Sequence, residues 1–114
     1  MNKGVVTVNY PVQDLARAKE LYRTLLGVEP FKDETYFVGF MVGQQSIGLV
    51  PGGHEQGMTG PAGYYEVDNI RESLQALLNG GAKLQQDVTD TGGGKLIASV
   101  TDPDGNVIGL VQMP

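Results

Sequence analysis

The spacing of apolar and polar residues predicts a β-strand near the start of the chain. Apolar Val6, Val8 and Tyr10 alternate with the more polar Thr7 and Asn9. This two-residue period is typical of a strand with one buried face. Six further segments along the chain are also interpreted as strands. Together the pattern predicts strands over residues 4–10, 35–42, 45–50, 63–67, 83–88, 96–100 and 106–112.

Two segments instead have the period of an amphipathic helix. In the first, apolar residues recur at spacings of three and four from Leu15 to Leu26, after Asp14 as N-cap and before Gly27 as the terminating residue. In the second, Asn69 is the N-cap, Glu72 completes a capping box, and an apolar stripe runs on to Gly80-Gly81. The pattern therefore predicts two helices, one in each half of the chain.

The two halves repeat one plan. The tetrapeptide at 47–50, Ile-Gly-Leu-Val, recurs at 108–111, in the last strand of each half. Between the halves, residues 51–61 are rich in Gly and Pro, and we expect a mobile surface loop without regular structure. We interpret residues 1–114 as a single α+β domain of two βαβββ modules, 1–50 and 62–114. Each module places one helix on a curved, mainly antiparallel sheet.

Charge and composition exclude several classes of function. The chain has 8 Lys and Arg against 13 Asp and Glu, a net charge of −5. This charge opposes binding to nucleic acids. The apolar runs are far shorter than the roughly 20 residues of a membrane span. There is no Cys, and the first residues lack the apolar core of a signal peptide. We expect a cytoplasmic protein that binds neither nucleic acid nor membrane.

Two motifs resemble those of the vicinal-oxygen-chelate superfamily, the group of glyoxalases, bleomycin resistance proteins and extradiol dioxygenases. The first is Val12-Gln13-Asp14-Leu15-Ala16-Arg17-Ala18, with Leu25-Leu26-Gly27 behind it. The second is Thr101-Asp102-Pro103-Asp104-Gly105-Asn106. Both motifs are structural, a capped helix and a tight turn, so they indicate the fold and not an activity. The resemblance covers essentially the whole chain and implies a homodimer that binds a small molecule on the concave sheet face.

The resemblance also implies four positions for the ligands of a divalent metal, usually His, Gln or Glu. Counted from the motifs, these positions are Thr7, Gly48, Ala62 and Gly109. A divalent ion needs several converging donors, which these residues do not supply. We therefore predict no metal cofactor and no metal-dependent catalytic residue. Glycine inside a strand destabilises it, so the presence of Gly48 and Gly109 in strands requires an explanation. They either open space for a ligand or allow another backbone to approach closely.

Strand alternation predicts which residues line the concave face. The predicted ligand-binding residues are Thr7, Asn9, Ser46, Gly48, Ala62, Tyr64, Glu66 and Gly109. Glu66 is the one carboxylate among them and the candidate general base if there is catalysis. The single histidine, His54, lies in the central loop, where we expect it to be exposed to solvent.

Three functions remain open from the sequence. The first is a metal-free protein that holds a small, planar or partly apolar molecule. The second is an enzyme, a glyoxalase-like lyase or isomerase or a dioxygenase. That enzyme would use a divalent metal bound at other positions, or Glu66 for acid-base chemistry. The third is a structural homodimer whose concave faces are filled by side chains.

Overall fold

The computed structural model describes residues 2–114, which form two helices and an eight-stranded mixed sheet. This is the α+β fold predicted above, with strand, helix and three strands in each half. The helices are α1 (Leu15–Leu26) and α2 (Ile70–Asn79). The strands are β1 (Asn2–Val12), β2 (Lys32–Asp33), β3 (Val38–Val42), β4 (Gln45–Pro51), β5 (Ala62–Val67), β6 (Lys83–Asp90), β7 (Leu96–Thr101) and β8 (Val107–Gln112).

The chain divides into two compact units. The first unit comprises residues 6–61, and the second comprises residues 62–114 together with the start of β1 up to Val5. The strand order is β2-β3-β4-β1 in the first unit and β1-β5-β8-β7-β6 in the second. Strand β1 is parallel to β4, and β5 is parallel to β8. The pairs β2/β3, β3/β4, β6/β7 and β7/β8 are antiparallel.

Helix α1 covers one face of the sheet in the first unit. Its N-cap is Asp14, whose carboxylate accepts a hydrogen bond from the backbone N–H of Arg17 at 3.1 Å. It ends at Gly27, whose left-handed conformation (φ 70°) lets its N–H reach the carbonyl of Arg23. The helix packs on fully buried Val38, Phe40 and Leu49 through a set of partly buried side chains. Those on α1 are Leu15, Ala18, Tyr22 and Leu26.

Helix α2 covers one face of the sheet in the second unit. The Asn69 side chain accepts from the N–H of Glu72 at 3.1 Å, as the sequence predicts. A second cap comes from the far end of the unit, because Gln112 Oε1 accepts from the N–H of Ile70 at 2.8 Å. Ile70 and Leu74 of the helix form the core of this unit with Val67, Ala98, Val100 and Leu110 of the sheet.

Two local predictions are wrong. The predicted strand 35–42 begins only at Val38, and the two-residue strand β2 precedes it. The reason is a tight turn, in which the N–H of Glu34 donates to the carbonyl of Phe37 at 3.0 Å. The loop 51–61 also contains a short 3₁₀ turn at His54–Gln56, closed by the N–H of Gly57 on the carbonyl of His54. His54 is exposed, as predicted.

Neither helix of residues 2–114 has the length and apolar character needed to cross a membrane.

Candidate functional site

The strand register of the first unit brings four predicted site residues to one sheet face. Thr7 pairs with Ser46, and Asn9 pairs with Gly48. Their neighbours along β4, Ile47 and Leu49, pack under α1. Because side chains alternate along a strand, the four residues point to the opposite face. We call the face turned away from the helix the helix-free face of that unit.

Thr7 and Ser46 form a hydroxyl pair on this face. The two oxygens, Thr7 Oγ1 and Ser46 Oγ, lie 2.6 Å apart and are partly buried. One hydroxyl must donate to the other, so the pair keeps one O–H free to donate elsewhere. This pair can therefore offer a single directed hydrogen bond to a polar substituent.

Gly48 lies beneath an aromatic ring. A Cβ atom at this position would come within 2.8 Å of the Phe37 ring and still closer to Asn9 Oδ1. Gly39, the partner of Gly48 on β3, would meet the rings of Phe31 at 2.9 Å and Phe37 at 3.0 Å. Both sequence explanations of Gly48 are thus wrong. The glycine neither opens empty space nor admits another backbone, because side chains occupy the place its own would take.

Phe31 and Phe37, together with Tyr36 from the same segment, form an aromatic surface. We call these three residues the aromatic platform. Phe31 is 60% exposed and Tyr36 is 58% exposed. The ammonium of Lys32 lies 5.4 Å from the centre of the Tyr36 ring and 5.8 Å from that of Phe37. Sequence reasoning missed the platform, because it placed 35–37 in a strand. The available signal was the spacing of three aromatic residues within the polar segment 31–37.

The side-chain oxygen of Asn9, Oδ1, lies beside the platform and is buried without a hydrogen-bond partner among residues 2–114. A buried acceptor left unsatisfied typically costs about 1 to 3 kcal/mol, so this oxygen would gain from a donor. Asn9 Oδ1 and the Phe37 ring both lie where a Cβ of Gly48 would be, so Asn9 is at the border of the platform.

In the second unit, too, an aromatic ring lies over a strand glycine. Tyr64 on β5 pairs in register with Gly109 on β8. A Cβ at Gly109 would come within 2.5 Å of the Tyr64 ring. Ala62, two residues before Tyr64, is only 1% exposed. On β7, Ser99 is paired with Gly109, 2% exposed, and donates to Gln85 Oε1 at 2.7 Å. The hydrogen bond between buried Ser99 and exposed Gln85 was not predicted.

Glu66, the candidate general base, belongs to an ion-pair group. Its Oε2 lies 3.7 Å from Lys3 Nζ, and Asp68 lies 3.2 Å from the same ammonium. The hydrogen bond to Asp68, and then the charges of Asp68 and Glu66, raise the pKa of Lys3 above its usual 10.5. The Glu66 side chain is 24% exposed, so solvent can also reach it. Its carboxylate is thus engaged at one oxygen.

The residues at the four positions that the resemblance implies for metal ligands do not fit a divalent cation. Thr7 is bonded to Ser46, Gly48 lies under Phe37, Gly109 lies under Tyr64, and Ala62 has no donor atom. Elsewhere in the described range 2–114, no three His, Cys, Asp or Glu side chains converge. No chemical step can be derived through a metal at these residues.

Comparison with known proteins supports the resemblance found in the sequence. The model of the glyoxalase/bleomycin resistance protein/dioxygenase superfamily matches residues 4–110. No curated protein sequence matches significantly.

Solved structures are similar in fold at low sequence identity. A member of the same superfamily from Vibrio splendidus has a TM-score of 0.73 at 15% identity, covering 99% of this chain and 100% of its own. Methylmalonyl-CoA epimerase from Mycobacterium tuberculosis has a TM-score of 0.73 at 19% identity, covering 99% and 89%. The Mn(II)-bound glyoxalase from Novosphingobium aromaticivorans has a TM-score of 0.72 at 18% identity, covering 98% and 40%.

Proposed function

Because the chain belongs to the glyoxalase/bleomycin resistance protein/dioxygenase superfamily, we propose that it binds a small planar molecule on the helix-free face of its first unit. The molecule is held without a metal ion and is not transformed. The observation that carries this proposal is the exposed aromatic platform lying over the paired glycines Gly39 and Gly48. Exposed rings beside a few polar groups are typical of small-molecule sites.

The residues around the platform have distinct roles in this proposal. A planar ligand stacks on Phe31, whose ring is more than half exposed. The free O–H of the Thr7–Ser46 pair orients a polar substituent of the ligand. Asn9, whose Oδ1 is buried, stays a predicted ligand-binding residue. The remaining predicted ligand-binding residues, Ala62, Tyr64, Glu66 and Gly109, stay a prediction.

The test uses 2-naphthamide as a planar probe, with binding measured by calorimetry and by the rise in melting temperature that a bound ligand causes. Phe31→Ala should weaken binding about two- to tenfold, because one aromatic contact contributes roughly 0.5 to 1.5 kcal/mol beyond its area. Leu25→Ala, at a 71% exposed position on α1, is the matched control and should leave affinity unchanged. Equal losses in both variants, or no binding by the native chain, would refute the proposal.

An enzyme is the second candidate function, and fold similarity to an epimerase and a glyoxalase favours it. Such a lyase, isomerase or dioxygenase would need a divalent metal held outside the four mapped positions, or Glu66 as the base. Metal analysis of the purified protein tests the first route. Glu66→Gln tests the second, with Asp68→Asn as control because it also pairs with Lys3. One tightly held ion per chain, or turnover lost only in Glu66→Gln, would establish the enzyme instead.

We include a cytoplasmic homodimer in the proposal, supported by the absence of cysteine and by the resemblance to dimeric family members. Sedimentation of the purified chain measures the assembly. A purely structural homodimer would sediment in the same way, but no planar compound would raise its melting temperature.

A further inference from the structure

Lys32 lies at the edge of the aromatic platform. It is the register partner of Gly39, whose missing side chain makes room for the rings of Phe31 and Phe37. Its ammonium is 5.4 Å from the Tyr36 ring centre and 5.8 Å from that of Phe37, within the range of cation–π attraction. Two rings therefore hold this positive charge beside the surface on which the proposed ligand stacks.

The charge of Lys32 is available to a ligand. The neighbouring carboxylate, Asp33, is bound to Lys19 at 2.6 Å. No carboxylate oxygen of the described residues 2–114 lies within 4.0 Å of the Lys32 ammonium. The lysine therefore forms no internal ion pair that a ligand anion would have to displace.

We propose that the ligand is an aromatic anion, a planar ring that stacks on Phe31 while its carboxylate or similar acidic group pairs with Lys32. This inference rests on the proposed function and adds the ligand's charge to it. The whole chain carries a net charge of −5, which repels anions in general. The Lys32 ammonium, within cation–π distance of the Tyr36 and Phe37 rings, supplies the local attraction that such a ligand needs.

The experiment compares 2-naphthoate with its neutral analogue 2-naphthamide by calorimetry at pH 7.5. The native chain should bind 2-naphthoate about three- to fivefold more tightly, the effect expected of one exposed ion pair. Lys32→Met keeps the apolar stem and should abolish this preference while leaving 2-naphthamide affinity within twofold. Lys32→Arg should retain the preference and shows whether charge, not fold, is responsible.

Lys19→Met is the matched control, since it removes a nearby cation that is already paired with Asp33. The preference should survive in this variant, and raising the salt concentration should weaken only the 2-naphthoate complex. Equal affinity of the native chain for both compounds overturns the aromatic-anion inference and leaves the proposed function standing. If neither compound binds, or if Phe31→Ala changes nothing, the proposed function itself fails.

Discussion

Gly109→Ala tests the close contact between a strand glycine and an aromatic ring in the second unit. The new Cβ would lie 2.5 Å from Cγ and Cδ2 of Tyr64 and 2.7 Å from its Cδ1. Ordinary carbon contacts are about 3.5 to 4.0 Å, so the ring would have to move by roughly 1 Å. Cγ is the ring atom nearest to the backbone, so a rotation of the ring alone does not remove the clash.

The size of the effect follows from two opposing terms. Overpacking a well-filled site costs about 1 to 3 kcal/mol. Replacing glycine by alanine in a strand returns about 0.5 to 1 kcal/mol. We expect Gly109→Ala to lower the free energy of unfolding by about 1 to 2 kcal/mol, measured by urea denaturation followed by circular dichroism.

Gly63→Ala provides the matched control, because Gly63 is also a strand glycine of the second unit. A Cβ at Gly63 would meet Val5 at an ordinary 3.6 Å, so this variant should be slightly more stable than the native chain. Tyr64→Ala completes a double-mutant cycle with Gly109→Ala. In its background the same glycine substitution should stabilise the fold, giving a coupling energy of about 1 to 3 kcal/mol.

The double-mutant cycle can also refute the explanation that the Tyr64 ring requires a glycine at position 109. A coupling energy between Tyr64 and Gly109 below about 0.5 kcal/mol would be indistinguishable from independent sites. The Tyr64 ring would then not be the reason that Gly109 is needed, and the two explanations offered from the sequence, space for a ligand and close approach of another backbone, would remain.

Three further predictions concern single contacts. In the turn after β7, the Asn106 side chain donates a hydrogen bond to the Asp102 carboxylate, which is the main reason that the pKa of Asp102 lies below 3.8. The stability that this contact contributes is lost as the pH falls through the lowered pKa. Asn106→Ala should therefore raise the Asp102 pKa in an NMR titration, and an unchanged value would contradict this. Gln112→Ala should lower the free energy of unfolding by about 0.5 to 2 kcal/mol, because it leaves the Ile70 N–H without its acceptor. Gln112→Glu keeps an acceptor oxygen and should cost less stability. Equal losses in the two variants would show that Gln112 does not cap the helix. Gly48→Ala should weaken 2-naphthamide binding by displacing the Phe37 ring, which calorimetry checks; unchanged affinity would exclude that ring from the site.

The helices were predictable because their signals are local. Asp14 and Gly27 bracket α1 within the same short segment, and Asn69 caps α2 through a residue three positions away. A cap or a left-handed glycine acts through neighbours in sequence, so the pattern alone locates the helix ends. Seven strands could be located along the chain from similarly local patterns, whereas the two-residue strand β2 could not.

The site was harder to predict because its contacts join distant segments. Phe37 reaches Gly48 only after the turn at 34–37 has moved it out of the strand. Gln112 caps a helix that begins 42 residues earlier. Two-residue periodicity placed Thr7, Asn9, Ser46 and Gly48 on one face, but it could not show that rings from a neighbouring loop cover part of that face.

The ring and glycine pairs bear on whether these two strands could carry a metal-ligating side chain at Gly48 or Gly109. Gly48 and Gly109 are the positions at which the resemblance implies carboxylate ligands, and each is covered by an aromatic ring, Phe37 in one unit and Tyr64 in the other. Any side chain introduced at either glycine meets its ring at the first carbon atom. A single glycine-to-glutamate substitution therefore could not place a carboxylate on the helix-free face without moving the ring as well. In both units the packing leaves no room for a side chain at the strand glycine, and in the first unit the ring that fills this place, Phe37, is part of the aromatic platform.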